Sequence, residues 1–429
     1  MNFSSNSSLI KTSEILKLAK PLQPYIDELK SLPSGYTQPE SFINLVLDQE
    51  ALQTCKKVRS SKVTDKLKYL VVVGIGGSYL GTKALYDALF GFSDALEPDR
   101  WPKIIFVDTF DPELLTILDR FLGTQIVSPE EILINIVAKS GTTNETVVNA
   151  DLVLQKLSRK FKNFDQRVVV ATAYNSPMWR LAKLHEISLL EIPSIINGRY
   201  TVFTPVGLFP LAVLGVDVQS FMTGGQKMLS HCLADTSENL VALSAAIIYK
   251  HYQAGVKIHD HFFFHPELES LGKWTRQLVA ESLGEKRKGK NANVGVTPTV
   301  SVGTNDLHSM VQLYLSGPYD KFTTFINAPS HANLKVQNSD WAKITDHLSG
   351  KSISEIMSAT FEGVKRSYIK CKRPFAEITL SGITAQGIGE YMMFKMLETI
   401  YLAKLLKVNA FDQPEVDDYK AETRKILSS

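Results

Sequence analysis

Between residues 68 and 190, short runs dense in valine and isoleucine alternate with stretches whose apolar residues recur at helical spacing, and few folds accommodate that rhythm. The runs are KYLVVVG, KIIFVD, ILINIVA, RVVVATA and ISLLEI; helical patterns begin near Leu80, Thr143 and Met178. A run that is apolar at successive positions is buried on both faces, which a parallel sheet covered by crossover helices provides. This predicts a doubly wound α/β unit. The second half repeats the style less regularly, with HDHFFFH, VTPTVSV, KFTTFINA and PFAEITL as strands and helices after Glu267, Asn305, Ser354 and Thr384. Two similar α/β/α domains with parallel sheets are therefore expected, joined near Thr201 to Leu214 and extended by helices at both termini. The expected bounds are 1–45 for an N-terminal helical arm, 46–203 for the first domain, and 204–429 for the second domain with a C-terminal helix.

A chain of 429 residues, 44% hydrophobic and 21% charged, has enough apolar material for such cores. The 47 Lys and Arg against 44 Asp and Glu leave a net charge of +3, too small and dispersed a field to predict nucleic-acid or membrane binding. An anionic ligand must then be held locally. Cys55, Cys232 and Cys371 are odd in number and far apart, which argues against a disulfide framework and for a reducing, cytoplasmic setting. The first residues lack a basic leader followed by an apolar run, so no signal peptide is expected. The apolar stretch Tyr200 to Val218 contains Pro205 and Pro210 and reads as a buried helix rather than a membrane span.

The chemistry is concentrated in loops. The first run ends in VVVGIGGSYLG, placing Gly74, Gly76, Gly77 and Ser78 at a strand-to-helix turn, where exposed N–H groups attract an anion. A dinucleotide fingerprint is the competing reading, with Asp108 available for a ribose; Tyr79 occupies its third glycine position. A second loop, AKSGTTNET, sets Lys139, Ser140, Gly141, Thr142 and Thr143 before a helix containing Glu145. Hydroxyls, a lysine and a helix start can hold a phosphate dianion from one side, and neither loop has the GxxxxGK[ST] spacing of a nucleoside-triphosphate site. The run Lys286 to Lys290 reads as a solvated loop, with phosphate contact as the sharper alternative. Arg199, in NGRYTVFTP, can face a cleft or form an interdomain ion pair. Glu281 stands near the end of the helical pattern LGKWTRQLVAESLGE, either exposed or serving as a base. His308, in GTNDLHSMVQLY, follows a strand and suits acid/base work, with His331 as a nearby competitor. His259 and His261 share a strand face, and His265 is close in sequence. No acidic or cysteine ligand completes a set there, so no metal is expected.

Together these segments, with NGRYTVFTPVGLFPLA and FDQPEVDDYK, resemble the phosphoglucose isomerase family and keep its order along most of the chain. The resemblance implies two flavodoxin-like sugar-isomerase domains that interconvert D-glucose 6-phosphate and D-fructose 6-phosphate, with no cofactor. By motif position it implies catalytic roles for Glu281, His308, Lys420 and Arg199. It implies substrate binding by Gly77, Ser78, Lys139, Ser140, Thr142, Thr143, Glu145, Gly198, Gln277 and Gln413. A homodimer with His308 reaching the neighbouring subunit's site is also implied. Two departures stand out. Ala138 replaces a serine before Lys139, and Glu285 replaces a lysine after the ESxG segment. The alternatives are a non-catalytic sugar-phosphate sensor of the same fold and a nicotinamide-dependent dehydrogenase.

Overall fold

A computed structural model describes residues 1–91, 93–286, 293–330, 332, 334–345, 347–413 and 415–428. His331 and Arg287 to Lys290 of the basic run lie outside the described residues. The chain opens with strand β1 (Asn2–Ser4), followed by helices α1 (Thr12–Ala19), α2 (Gln23–Lys30) and α3 (Gln49–Lys62). Asp48 starts α3 by accepting the Ala51 N–H at 2.8 Å, satisfying one of the donors left open at a helix start.

The first parallel sheet contains β2 (Tyr69–Val73), β3 (Lys103–Val107), β4 (Ile132–Val137), β5 (Val168–Thr172) and β6 (Ser188–Glu191), in the order β3-β2-β4-β5-β6. Every residue of β4 and β5 is buried, as the uninterrupted apolar runs require. Its crossover helices are α4 (Leu80–Tyr86), α5 (Pro112–Thr124), α6 (Asn144–Lys160) and α7 (Pro177–Leu184). Asp111 and Ser176 cap α5 and α7, and Pro112 and Pro177 follow them in the first turns. On the outer face, Leu118, Leu122, Val153 and Leu157 from α5 and α6 pack onto Val71, Ile134 and Val170. The sheet changes direction of growth between β2 and β4, and both loops singled out in the sequence emerge there.

Three helices, α8 (Pro205–Val213), α9 (Val218–Cys232) and α10 (Leu240–Gln253), lead to the second half. The apolar stretch with Pro210 is α8, buried at every residue. Next come β7 (Ile258–Phe263), α11 (Glu269–Leu283), the short hairpin strands β8 (Glu285–Lys286) and β9 (Asn293–Val294), and β10 (Thr297–Val302). These are followed by α12 (Asn305–Ser309), α13 (Val311–Ser316), β11 (Lys321–Asn327), α14 (Ile353–Lys370), β12 (Phe375–Thr379), α15 (Ala385–Leu406) and α16 (Glu415–Ser428). The second sheet runs β1-β12-β11-β7-β10, parallel except for β1. Its four parallel strands are ordered as the first four of the other sheet, so the chain contains two doubly wound units. The N-terminal arm, expected to be helical, instead opens with a strand that completes the second sheet's edge.

Helix α15 lies at the centre of the molecule and packs against α9, α10 and α11. It is buried on nearly all sides, which explains its apolar sequence; its buried charges are paired, Lys395 with Glu398, and Glu390 with Lys227 at 3.0 Å and the Met1 amino group at 2.8 Å. Helix α11 packs on both α4 and α15, so the helix bearing Glu281 bridges the two halves.

Candidate active site

Two backbone segments meet at the centre of the site. Gly76–Ser78 forms a single tight turn after β2, and Gly198–Phe203 forms another after β6. A methyl group at Gly77 would lie 2.3 Å from the Gly198 carbonyl carbon and oxygen, so these turns can touch only because residue 77 lacks a side chain. Gly76 holds φ at +58° beside the Gln277 amide. Thr201 Oγ1 donates to the Gly198 carbonyl at 2.7 Å and tightens the second turn.

This contact delivers Arg199 into the interior, where it is 2% exposed. Its guanidinium donates from Nε to Ser282 Oγ at 2.7 Å, from Nη1 to Glu281 Oε2 at 3.2 Å and to Gln413 Oε1, and from Nη2 to the Ala410 carbonyl at 2.7 Å. A planar five-donor group suits such a fork, and the contacts hold its charge in one orientation. The other carboxylate oxygen of Glu281 accepts from Gln277 Nε2 at 2.8 Å. That bond joins residues one turn apart on α11, so helical spacing accounts for it. Both oxygens of Glu281 are thereby held, while the side chain keeps 33% exposure. This is the geometry of an oriented, partly exposed carboxylate beside a fixed cation.

The second loop is at the end of β4, next to β2 in the sheet. Ser140 Oγ accepts from the Thr142 N–H at 3.3 Å and lies 3.4 Å from Thr143 Oγ1, so the hydroxyls cluster before α6. Thr143 takes the capping position of α6 without a side-chain cap bond, leaving its hydroxyl uncommitted to the helix start. Ser78 and Glu145 are half-buried on the first-loop turn and the first turn of α6. Lys139 turns away from the loop: its ammonium donates to the Ser194 carbonyl at 3.1 Å and the Ile196 carbonyl at 2.9 Å. Burial and the nearby Arg199 charge hold it below the ordinary lysine range. It therefore anchors the segment that leads into Gly198.

Asp108 has a role other than ribose binding. Its carboxylate lies close to the Tyr79 hydroxyl, and burial together with that negative charge pushes the phenol upward. The side chain that breaks the dinucleotide fingerprint thus occupies its acid. His259 Nε2 pairs with Thr324 Oγ1 at 2.9 Å, and His261 Nδ1 lies 3.4 Å from the Thr299 carbonyl. Both rings are buried within the second sheet, away from the loops.

The fold brings Gly77, Gly198, Arg199, Gln277, Glu281, Gln413 and Lys139 together. Ser78, Ser140, Thr142, Thr143 and Glu145 lie on the two adjoining loops. Lys420 is half-buried on α16, which starts just after Gln413. His308 is exposed on α12, beyond the end of β10 in the second sheet. Sequence reading missed Ser282, which orients Arg199, and Asn197, whose Nδ2 donates to the Phe411 carbonyl at 2.9 Å. Each adjoins a residue already singled out, and that adjacency was the available signal.

A pair of doubly wound domains with a glycine-rich and a hydroxyl-rich helix-start loop and an arginine-held carboxylate defines a sugar-phosphate isomerase. The phosphoglucose isomerase family model matches residues 41–429, and the chain belongs to that family. It is 32% identical over 420 residues to a glucose-6-phosphate isomerase of Rubrobacter xylanophilus, covering 96% of this chain and 93% of that one. A glucose-6-phosphate isomerase of Carboxydothermus hydrogenoformans is 30% identical, over 89% of this chain and 83% of its own. The fold superposes with a TM-score of 0.90 on a hypothetical protein of Thermus thermophilus, 27% identical, with all of both chains covered. A Chlamydia trachomatis glucose-6-phosphate isomerase has a TM-score of 0.82 at 20% identity, covering 99% of this chain and 88% of that one. The chain is an enzyme, an aldose–ketose isomerase, and the expected fold class holds.

Proposed function

We propose that the cleft between the GIGGS turn, the KSGTT loop and α11 interconverts D-glucose 6-phosphate and D-fructose 6-phosphate, with Glu281 as the proton-transfer base. The observation that carries this assignment is the double hold on the Glu281 carboxylate, by Arg199 Nη1 at 3.2 Å and Gln277 Nε2 at 2.8 Å. The reaction starts with ring opening. His308 and Lys420 act as acid/base partners, one taking the proton of the anomeric hydroxyl and the other returning a proton to the ring oxygen. Glu281 then removes the proton on C2, the electrons flow to the carbonyl oxygen, and a cis-enediol or enediolate forms. Protonation at C1 by the same carboxyl group completes the isomerisation. Electrons and protons are redistributed within one substrate, so no redox cofactor is required.

Arg199 stabilises charge on the enediolate oxygens. It is held in advance by four hydrogen bonds, so little reorganisation accompanies the reaction. Ser78, Ser140, Thr142, Thr143 and the N–H groups opening α6 bind the phosphate, with Lys139 adding positive charge from below. Gly77 and Gly198 allow the substrate to approach the backbone, while Gln277, Gln413 and Glu145 line the sugar. Phosphate binding remote from the reacting carbons sets C2 against Glu281. In a coupled assay with fructose 6-phosphate, Glu281→Gln is expected to lose about 10³-fold or more in kcat while still binding substrate. Near-normal turnover by that variant removes Glu281 from the reaction.

The active assembly is a homodimer in which His308 serves the neighbouring subunit. Two observations support that reading. His308 is exposed on α12, outside the cluster around Glu281, and the second half of the chain also displays Leu334, Trp341 and Ile344 at 73%, 84% and 73% exposure. Apolar side chains that open to solvent favour burial against another protein surface. The setting is cytoplasmic and reducing: Cys55, Cys232 and Cys371 are all free thiols. Among the described residues no helix is long and apolar enough to cross a membrane.

A further inference from the structure

Residues 409–413, between α15 and α16, form a strap across the base of the site. Lys407 ends α15 in a left-handed conformation, and beyond it the strap's backbone polar groups are met by side chains. The Ala410 carbonyl accepts from Arg199 Nη2 at 2.7 Å, and the Phe411 carbonyl from Asn197 Nδ2 at 2.9 Å. Gln413 Oε1 accepts from Arg199 Nη1. The Phe411 ring packs 5.4 Å from that of Tyr200. These anchors converge on one short segment, Asn197 to Tyr200. The strap's first residue is held from a different element: the Asn409 N–H donates to Glu285 Oε2 at 3.0 Å. Glu285 stands four positions beyond Glu281, just past the end of α11.

We propose that Glu285 is a positioning residue for the isomerase reaction, tying the strap to the helix that carries the base. A backbone N–H bonded to a carboxylate is charge-assisted and stronger than a neutral pair in the same setting. This anchor determines where the strap begins. The strap in turn determines where Gln413 meets Arg199 and where α16 starts, about 8 Å of helix rise before Lys420. One carboxylate thereby couples the orientation of the enediolate-stabilising cation to the placement of the ring-opening lysine. The substitution at this position noted in the sequence acquires a purpose, because a lysine ammonium has no lone pair to offer the Asn409 N–H. The inference rests on the roles assigned above to Arg199 and Lys420.

The test compares Glu285→Leu, which removes the acceptor, with Glu285→Gln, which retains a neutral one. Both are assayed with glucose 6-phosphate and fructose 6-phosphate in the wild-type and Gln413→Ala backgrounds, with thermal unfolding recorded for each. Glu285→Leu is expected to lower kcat about tenfold with KM changed by less than about twofold, and Glu285→Gln to recover most of the loss. In the Gln413→Ala background the Glu285→Leu effect should shrink, since one of the strap's two bonds to Arg199 is gone while the Ala410 carbonyl keeps the other. Wild-type kcat in Glu285→Leu, failure of Glu285→Gln to recover activity, or an undiminished effect in the Gln413→Ala background each overturns the inference. If Glu285→Leu fails to fold, Glu285→Gln decides in the two backgrounds. A loss of about twofold that shrinks with Gln413→Ala supports coupling through the strap, whereas no loss in either background, or an equal loss in both, refutes it. Arg199→Lys, measured in parallel, separates the two readings. Unchanged kcat there removes the site assignment itself, whereas loss there with retention in Glu285→Leu removes only the role of Glu285.

Discussion

Arg199 shows how far one residue's chemistry depends on its immediate surroundings. Its charge could be supplied by lysine, but the four donations to Ser282, Glu281, Gln413 and Ala410 require a planar fork. Arg199→Lys is therefore expected to lower kcat by about 10²-fold while raising KM less, since the interaction lost is strongest in the transition state. Steady-state kinetics in both directions provide the check; a raised KM with unchanged kcat makes Arg199 a ground-state binding group. Arg199 and Glu281 were legible in the sequence as residue types in recognisable segments, but their pairing was not. They are 82 positions apart, and the contact exists only because Gly77 lets separate turns meet. Lys139 illustrates the reverse. Its position before a hydroxyl-rich loop suggests direct contact with phosphate, yet its ammonium binds the Ser194 and Ile196 carbonyls, a use that depends on where a distant turn passes.

Among elements, the Gly77–Gly198 contact is the joint between the first sheet and Arg199. A Cβ at 2.3 Å from backbone atoms cannot be relieved by a rotamer change, so Gly77→Ala must separate the turns. Loss of about 1–3 kcal/mol of stability and a severe fall in kcat are expected, measured by denaturant unfolding and the coupled assay. Full activity in Gly77→Ala would show the joint to be unnecessary. Strand β7 presents a different kind of constraint. Asp260 is fully buried there, with Thr299 Oγ1, Ser301 Oγ and Tyr314 OH donating to Oδ1 at 2.7, 3.0 and 3.1 Å. Burial outweighs these donors and raises its pKa from 3.8 to about 6. A carboxyl group raised on folding stabilises the native state fully below its unfolded pKa, and that contribution is lost as pH rises through about 6. The wild type should thus forfeit on the order of 3 kcal/mol relative to Asp260→Asn between pH 4 and pH 7. Denaturant midpoints of both proteins across that range test it; a constant difference refutes the shift. The strand itself was readable from HDHFFFH, whereas the hydroxyls that surround the aspartate come from neighbouring elements and were not.

At the level of the whole molecule, the repeated sheet order gives each half a set of carboxyl-terminal strand ends, but the halves use them differently. The first places the GIGGS turn and the KSGTT loop there. The second places His308 there, on a surface outside the Glu281 cluster, while its α11 passes Glu281 back to the first half. The rhythm of apolar runs made both sheets legible, because burial on two faces leaves a mark on every strand. The edge strand Asn2–Ser4 was not legible, since three residues carry too little pattern and its partner lies at the other end of the chain. The proposed assembly comes from resemblance, and it yields a decisive experiment. If His308 acts across a dimer, His308→Ala and Glu281→Gln fail in different sites of a mixed dimer. One site combines an intact Glu281 with an intact partner His308; the other lacks both. Coexpression or co-refolding of the two inactive variants at equal amounts should form mixed dimers in about half of the population, each with one working site, and restore about a quarter of wild-type activity. Activity no higher than that of the separate variants, with mixed dimers demonstrated by differential tagging, places His308 in its own subunit's site or outside the reaction.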